Sequence, residues 1–446
     1  MLGLQALLGS AVPGAGQDAP IPARPEAAEP LTLSSVYETA RLRSPRLAAA
    51  DAMVLAAEAR IPQAGAFPDP VFQVGVGNLE LPGLSATMPA SMAPMFSLAQ
   101  GIPFPGKRGL REEIAGSSAL AAAAASSEVW WQVRTEVSRA FYDLYAAERQ
   151  LQVQSEAVRL LSEAQLIAEA LYASGSGRQT DVLRASVAVA RLDGEVHRLQ
   201  AARLGAAARL NGLLDLPADW ELPPVRLEGL PAMEIPLDTL RVWAYESRPF
   251  IQRARIEVDR ADAGVALAGR DIWPDVSLAI QYAQRPTDEG RRHMGGAVLG
   301  FSIPVYAGSK QNRAKDEAAA ERLAAVAELS EVKAQVDAQL GRVLAEIRRA
   351  HELLALYEVE ILPQARATVE SALSSYRSGA VDFLTLLDAE VALTRFEAEV
   401  TVLFAEYGFG IAELEATVGR PHPPSVYLPW GNDGERQYRA GWPVGW

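Results

Sequence analysis

Two stretches of this chain, 204 residues apart, are copies of one another. LYASGSGRQTDVLRASVA (Leu171 to Ala188) lies over SYRSGAVDFLTLLDAEVA (Ser375 to Ala392), so that Tyr172 pairs with Tyr376, Gly175 with Gly379, Leu183 with Leu387 and Ala185 with Ala389. The same offset aligns RSPRL at Arg43 with SRPFI at Ser247. Pro68 of FPDP and Pro274 of WPDV lie 206 apart, and Pro103 of GIPFPGK and Pro304 of SIPVYAGSK lie 201 apart. Four anchors in one order at nearly one offset define two similar halves in tandem, and any fold for this chain must be built twice.

Each half reads as helix, strand, strand, long helix, break, long helix. From Lys107 to Tyr172 there is no Pro, and Ala, Leu, Glu, Gln and Arg dominate, all good helix formers. About 65 residues at about 1.5 Å per residue make a rod near 100 Å, far beyond the few turns usual in compact domains. Val153, Ala157, Leu160, Ala164, Ile167 and Leu171 mark a heptad-type seam along it. After a break at Ser174 to Gly177, a returning helix runs from about Thr180 to Leu214. The second half repeats the pattern from Lys310 to Tyr376, with Pro363 as an expected kink. It returns from Asp382 to Val418, with Leu384, Leu387, Val391 and Thr394 in heptad spacing. Taken alone, such seams describe a soluble coiled coil.

The strands point elsewhere. In DVSLAIQYAQ, Val276, Leu278, Ile280 and Tyr282 share a face, whereas VFQVGVGNLEL leaves its facing ambiguous. Each is followed by a Gly/Pro/Met or charged loop and a returning strand. Strands of about 9–11 residues cross a bilayer when tilted, and alternation between turn residues is the barrel pattern. No run reaches the 18–20 apolar residues of a spanning helix. Four strands cannot close a barrel, and open edges are not tolerated in hydrocarbon, so transmembrane strands require association. Two copies give eight strands, too narrow for an open pore. Three give twelve, enough to leave a lumen.

Composition narrows the chemistry. A formal net charge of -13 argues against nucleic acid as a partner. Cys is absent, which removes disulfides, thiolate metal sites, a Cys nucleophile and a lipid-bearing Cys. His197, His293, His351 and His422 are scattered without ligand spacing. Gly75 to Gly77 and Gly290 to Gly300 lack the Gly-Lys-Ser/Thr sequel or βαβ setting of a nucleotide site. No cofactor is expected, and no grouping suggests an enzyme.

The tandem halves, the Tyr-x-x-Gly break followed by Leu-x-Ala, and GIPFPGKRGLREEIA (Gly101 to Ala115) resemble TolC-type outer-membrane efflux proteins over about Leu31 to Pro421. PFPGK is most similar to the branch serving heavy-metal resistance. The resemblance implies a mostly α fold with transmembrane β: duplicated long coiled-coil helical hairpins plus four strands per chain, forming a trimeric twelve-stranded barrel and an α-helical periplasmic tunnel. It implies an outer-membrane location and partners in a periplasmic adaptor and an inner-membrane pump of the resistance-nodulation-division (RND) type. It also implies a periplasmic gate. Asp388 matches one ring carboxylate, while Thr385 stands where a second ring has Asp. Asp181 and Tyr376 match residues linking the inner hairpin to its neighbour, and Val381 replaces an Arg of that latch.

Other features carry less. Met88, Met92 and Met95, in the loop between the first two strands, are soft thioethers suited to Cu(I), or simply a flexible hairpin cap. Trp273, Tyr282, Tyr306 and Phe104 fit an interfacial aromatic belt or packing on helices. Lys107, Arg108, Arg111, Lys310, Arg313 and Lys315 place basic charge where strands pass into helices, by lipid headgroups or as solvated helix starts. The expected layout is a signal-like, Pro/Ala-rich segment 1–30, or else a disordered tail. A first repeat follows over 31–220, with strands near 70–81 and 95–104. A second covers 221–420, with strands near 275–284 and 296–305, and an irregular tail covers 421–446. The rival functions are a type I secretion duct and a soluble periplasmic coiled-coil scaffold.

Overall fold

The computed structural model describes residues 30–77, 93–227, 229–231, 235–287, 290–421 and 427–428. The signal-like segment, Met88, Met92, His422 and nearly all of the tail lie outside the described residues. Helices α1 (Leu33–Arg43), α2 (Pro45–Glu58) and α3 (Arg60–Gly65) lead into strands β1 (Val71–Gly77) and β2 (Ala93–Ile102), then α4 (Lys107–Ala173) and α5 (Gln179–Leu213). The two-residue β3 (Leu230–Pro231) precedes α6 (Leu237–Ser247), α7 (Pro249–Arg270), β4 (Val276–Thr287) and β5 (Gly290–Phe301). Then come α8 (Gln311–Leu356), a π-turn at Tyr357–Ile361, α9 (Leu362–Arg377), α10 (Phe383–Val418) and β6 (Tyr427–Leu428). Within the expected irregular tail, β6 pairs with β3.

The duplication has local physical causes. Pro45 and Pro249 each open a helix at N1, where a missing N–H costs nothing, and the residue before each is held extended. At the far ends, Gly175 (φ +76°) and Gly379 (φ +74°) take the left-handed conformation. Ser176 N donates to Leu171 O at 3.0 Å and Gly175 N to Tyr172 O at 3.0 Å. Ala380 N to Ser375 O (2.8 Å) and Gly379 N to Tyr376 O (2.9 Å) repeat the pair. These are two Schellman stops, and Gly is needed because other residues are strained at such φ. Helix α4 runs unbroken for 67 residues, and the second rod reaches the same length only through its π-turn. That turn lies just before Pro363, whose missing N–H a wider helical turn accommodates.

All four long strands form one antiparallel sheet in the order β1-β2-β4-β5. Opposed residues share a face, and the register places Phe72, Val74 and Val76 with Phe96, Leu98 and Ile102, then Leu278, Ile280 and Tyr282, then Leu299 and Phe301. This settles the facing of the first strand. The opposite face carries Gln73, Gly75, Ser97, Ala99, Ser277, Ala279, Gln281, Gly296 and Gly300, with Val71, Met95, Met294 and Val298 among them, so it is mixed where the first face is aromatic-rich. The large apolar side chains are exposed: Phe72 is 64%, Val74 67%, Ile280 58% and Leu299 59% accessible. Strand β5 starts at Gly290, earlier than expected, because the strands continue through Arg285 opposite Arg292 and Thr287 opposite Gly290. Among the described residues no helix is long and apolar enough to cross a membrane.

The main core lies midway along the rods, where α1 and α6 pack on the long helices through Val36, Leu240, Phe141, Leu340, Phe404 and Tyr407, all nearly inaccessible. Fully burying side chains of this size contributes roughly 1.5–3 kcal/mol each. A salt bridge ties α4 to α10 beside it, with Arg134 Nη2 2.5 Å from Glu415 Oε2. Arg248 Nη1, mostly buried, donates to Thr417 O at 3.0 Å. In α4 the seam is Val153, Ala157, Leu161, Ala164 and Ala168, with Leu160, Ile167 and Leu171 on its flank. At the tip end of α10 the buried residues are Phe383, Leu386 and Glu390, with Leu387 packed half-buried on the same core, so of the expected seam Leu384 (41% exposed) and Val391 (53%) face outward.

Helix α10 approaches α4 through Gly408, where an added Cβ would come within 2.7 Å of the Tyr142 hydroxyl and closer to its ring. In an exposed helix Gly→Ala gains about 1 kcal/mol. Gly408→Ala is expected to lower the melting temperature instead. A raised melting temperature would show that this contact is loose.

Candidate functional site at the hairpin tips and the sheet junction

The two hairpin tips meet in a small second core of Leu161, Ala164, Ala168, Ala185, Ala188, Ala372, Tyr376, Phe383 and Leu386. Its many Ala side chains let the helices approach closely. Tyr376, in the last turn of α9, is 3% exposed and meets Phe383 edge-on at 5.8 Å. Asp181, in the first turn of α5, is also buried, where the helix N-terminus favours its charge. Burial raises the Tyr376 phenol above its ordinary pKa, and the nearby Asp181 carboxylate raises it further. The two sequence-singled residues thus come together within one chain. Val381 packs, half-buried, on the same cluster.

On α10, Asp382 caps the helix: its Oδ1 accepts from Thr385 N at 3.1 Å and from the Thr385 hydroxyl at 2.8 Å. Thr385 is therefore engaged in the cap. These two hydrogen bonds hold the Asp382 carboxyl below its ordinary pKa, helped by Arg184 and Arg178 of the first tip. Asp388 lies exposed about one turn beyond Thr385, on the outward face that carries Leu384 and Val391. The candidate metal contact Met95, expected in the loop, sits instead within β2, because the strand begins at Ala93, and lies opposite Ala283, which in turn opposes Met294. Among the described residues no group of three His, Cys, Asp or Glu could hold a metal.

Sequence reasoning missed Glu390. It is 5% exposed on α10, its Oε2 has no hydrogen-bond partner, and burial pushes its pKa up to about 7, with Glu397 and Glu156 adding to the shift. A lone acid among apolar heptad positions gives no periodic signal. It reads as surface until packing is known.

The second missed feature is the junction of sheet and rods. Phe104-Pro105-Gly106-Lys107 forms a type II turn, with Gly106 at φ +89° and Lys107 N donating to Phe104 O at 3.1 Å. It turns the Lys107 side chain inward to 3% exposure. Lys107 Nζ donates to Trp273 O (3.0 Å) and Asp275 Oδ1 (2.9 Å) and lies 3.5 Å from Asp271. Phe104 N donates to the same Asp275 oxygen at 2.7 Å, while the Phe104 and Trp273 rings stack at 5.4 Å. Burial would raise the Asp275 pKa, but the hydrogen bonds from Lys107 and Phe104 and the Lys107 and Arg111 charges outweigh it, leaving the carboxyl below its usual range. Lys107 is thus an internal latch and no rim charge. Arg108 is also used internally, donating to Gly65 O at 2.7 Å and covering the Phe67 ring. Trp273 and Phe104 pack on each other, Tyr282 lies on the large-residue face near Phe96, and Tyr306 is 72% exposed.

The sheet thus gathers its aromatic side chains on one face and is joined to paired helical rods. Residues 36–215 and 240–403 match the outer membrane efflux protein family, and the chain belongs to it. It is 24% identical over 390 residues to the cobalt-zinc-cadmium resistance protein CzcC of Cupriavidus metallidurans, covering 85% of this chain and 87% of that one. The crystal structure of CusC, a protein that forms a transmembrane channel, superposes with a TM-score of 0.75 at 18% identity, over 87% of this chain and 92% of CusC. The outer membrane protein VceC of Vibrio cholerae gives 0.73 at 20% identity, over 87% and 96%. The chain is an outer-membrane efflux channel protein.

The raised Glu390 pKa means that the native state binds this proton more tightly than the unfolded chain. Its contribution to stability is full below about pH 4.5 and is lost as pH rises through about 7. Glu390→Gln should flatten the fall in melting temperature over that window and raise it at alkaline pH. Parallel melting curves for the two proteins would contradict this.

Proposed function

We propose that three copies of this chain close a twelve-stranded barrel in the outer membrane, their helical hairpins forming a tunnel through the periplasm. The observation that carries this reading is the two-faced sheet with two open edges. The large apolar side chains suit hydrocarbon, the Gly, Ala, Ser and Gln face suits a wet lumen, and edges β1 and β5 demand partners in lipid. The outward apolar residues of the rods, among them Leu166, Leu183, Val187 and Val391, give neighbouring hairpins something to pack against. The conduit is passive. A periplasmic adaptor and an inner-membrane RND-type pump supply direction and cargo, which on the likeness to CzcC consists of metal ions, with small toxic compounds as the wider class.

At the tunnel mouth, Asp388 of each protomer forms a ring of three carboxylates, and Asp181 with Tyr376 holds the inner hairpin against its neighbour. What supports the ring is the exposure of Asp388 on an apolar outward face. Like charges in a narrow mouth attract and retain cations. Thr385 is committed to the Asp382 cap, leaving one ring only. In planar bilayers, Asp388→Asn is expected to weaken block by divalent cations and to reduce cation selectivity. Unchanged conductance and block would overturn the ring.

A further inference from the structure

The Lys107 latch has a second half-site, in which Lys310 and Asp69 have no side-chain partner among the described residues and Phe67 is met on one side by Arg108. Lys107 opens the first rod, and Asp275 precedes the first strand of the second half. In the repeat, Asp275 of WPDV corresponds to Asp69 of FPDP. The basic residue that matches Lys107 after a two-residue insertion is Lys310, which stands six residues after Pro304 where Lys107 stands four after Pro103 and occupies the N-cap position of the second rod. Both Lys310 and Asp69 are exposed. Around Lys310, Ile303, Val305 and Tyr306 are 75%, 74% and 72% exposed, among the most accessible large apolar side chains in the molecule. Beside Asp69, Phe67, the counterpart of Trp273, is 52% exposed. In the first junction the corresponding Phe104 and Trp273 rings cover each other.

The sheet explains the split. Lys107 and Asp275 meet because β2 and β4 are neighbours, with Ile102 opposite Val276. The equivalent neighbours, β5 and β1, lie at opposite edges of the chain's own sheet. Only a second copy can bring them together. We propose that Lys310 of one protomer pairs with the partner subunit's Asp69, repeating the Lys107–Asp275 latch across each seam between protomers, with the Val305 and Tyr306 side chains covering the partner subunit's Phe67. The proposal rests on the trimeric barrel reading and specifies its seam. Transferring the β2–β4 register through the repeat sets Phe301 opposite the partner subunit's Phe72 and Leu299 opposite its Val74. All four belong to the large apolar face, as they must, since a one-residue slip would turn one strand inside out. The parity was not imposed by the charges, so it is an independent agreement.

The chain has no Cys, so introduced cysteines report without background. Phe72→Cys combined with Phe301→Cys should form disulfide-linked trimers on mild oxidation of purified protein in detergent, while either single variant should not. Lys310→Asp and Asp69→Lys should each cut the trimer fraction several-fold at a temperature where half of the wild type dissociates, because like charges then face each other at three seams. The double reversal should restore most of it, which a folding defect would not allow. A trimeric wild type with no rescue by the double reversal overturns the ion pair. A trimeric wild type without cross-linking overturns the register. A monomeric wild type overturns the trimer reading beneath both.

Discussion

Unpaired backbone at the two edges of a four-stranded sheet is the constraint on which the rest of this structure depends. In water, such edges are a liability that charges or bulges can blunt; in hydrocarbon, each unpaired N–H and C=O costs several kcal/mol and must be bonded. The broad faces differ in character: Phe72, Phe96, Tyr282 and Phe301 gather every aromatic of this sheet on one side, while Gly, Ala, Ser and Gln prevail over a few Val and Met on the other. Lipid outside and water inside satisfy both faces, provided that neighbouring chains satisfy the edges. The helical rods inherit the same logic, since their outward apolar residues have no partner within the chain.

The duplication then becomes a way of building a closed wall from few parts. Two half-chains meet inside one protomer at the β2–β4 boundary, and the junction there is locked by Lys107, Asp275 and the Phe104–Trp273 stack. A charge this buried is stabilised only when paired and hydrogen-bonded, and both conditions hold. The lock sits where the strands pass into the rods, so it fixes the direction in which the rods leave the sheet. Far away, the tips use weaker means: an Ala-rich cluster, one capping Asp and opposed charges on the two hairpins. Rigid junctions and lightly held tips are what an opening conduit requires.

Much of this was legible in residues alone, because the repeat is periodic information. Gly175 and Gly379 announced identical helix stops, and the alternation of Val276, Leu278, Ile280 and Tyr282 gave one strand face directly. The facing of β1 was not legible, since Val71, Val74 and Val76 fit two phases and only pairing with β2 decides. In α10 apolar residues occupy adjacent positions around the helix, so Leu384 and Val391 looked like the inner seam when Phe383 and Leu386 fill it. Lys107 was misread because a charge near a strand end is usually solvated. The clue was the Asp that precedes a strand in both halves. Glu390 carried no signal, since its unusual state comes from helices distant in sequence. For Asp388, Asp181 and Tyr376, the chain supplies positions and neighbours, and the gate role proposed for them depends on contacts between copies that one chain does not contain.

Everything above turns on one chain supplying a third of a closed wall. Native mass spectrometry of the protein extracted from outer membranes in mild detergent tests that most directly. The account predicts a single dominant species of three chain masses, persisting as the protein is diluted. A dominant monomer or dimer under conditions that preserve the helical fold would contradict it.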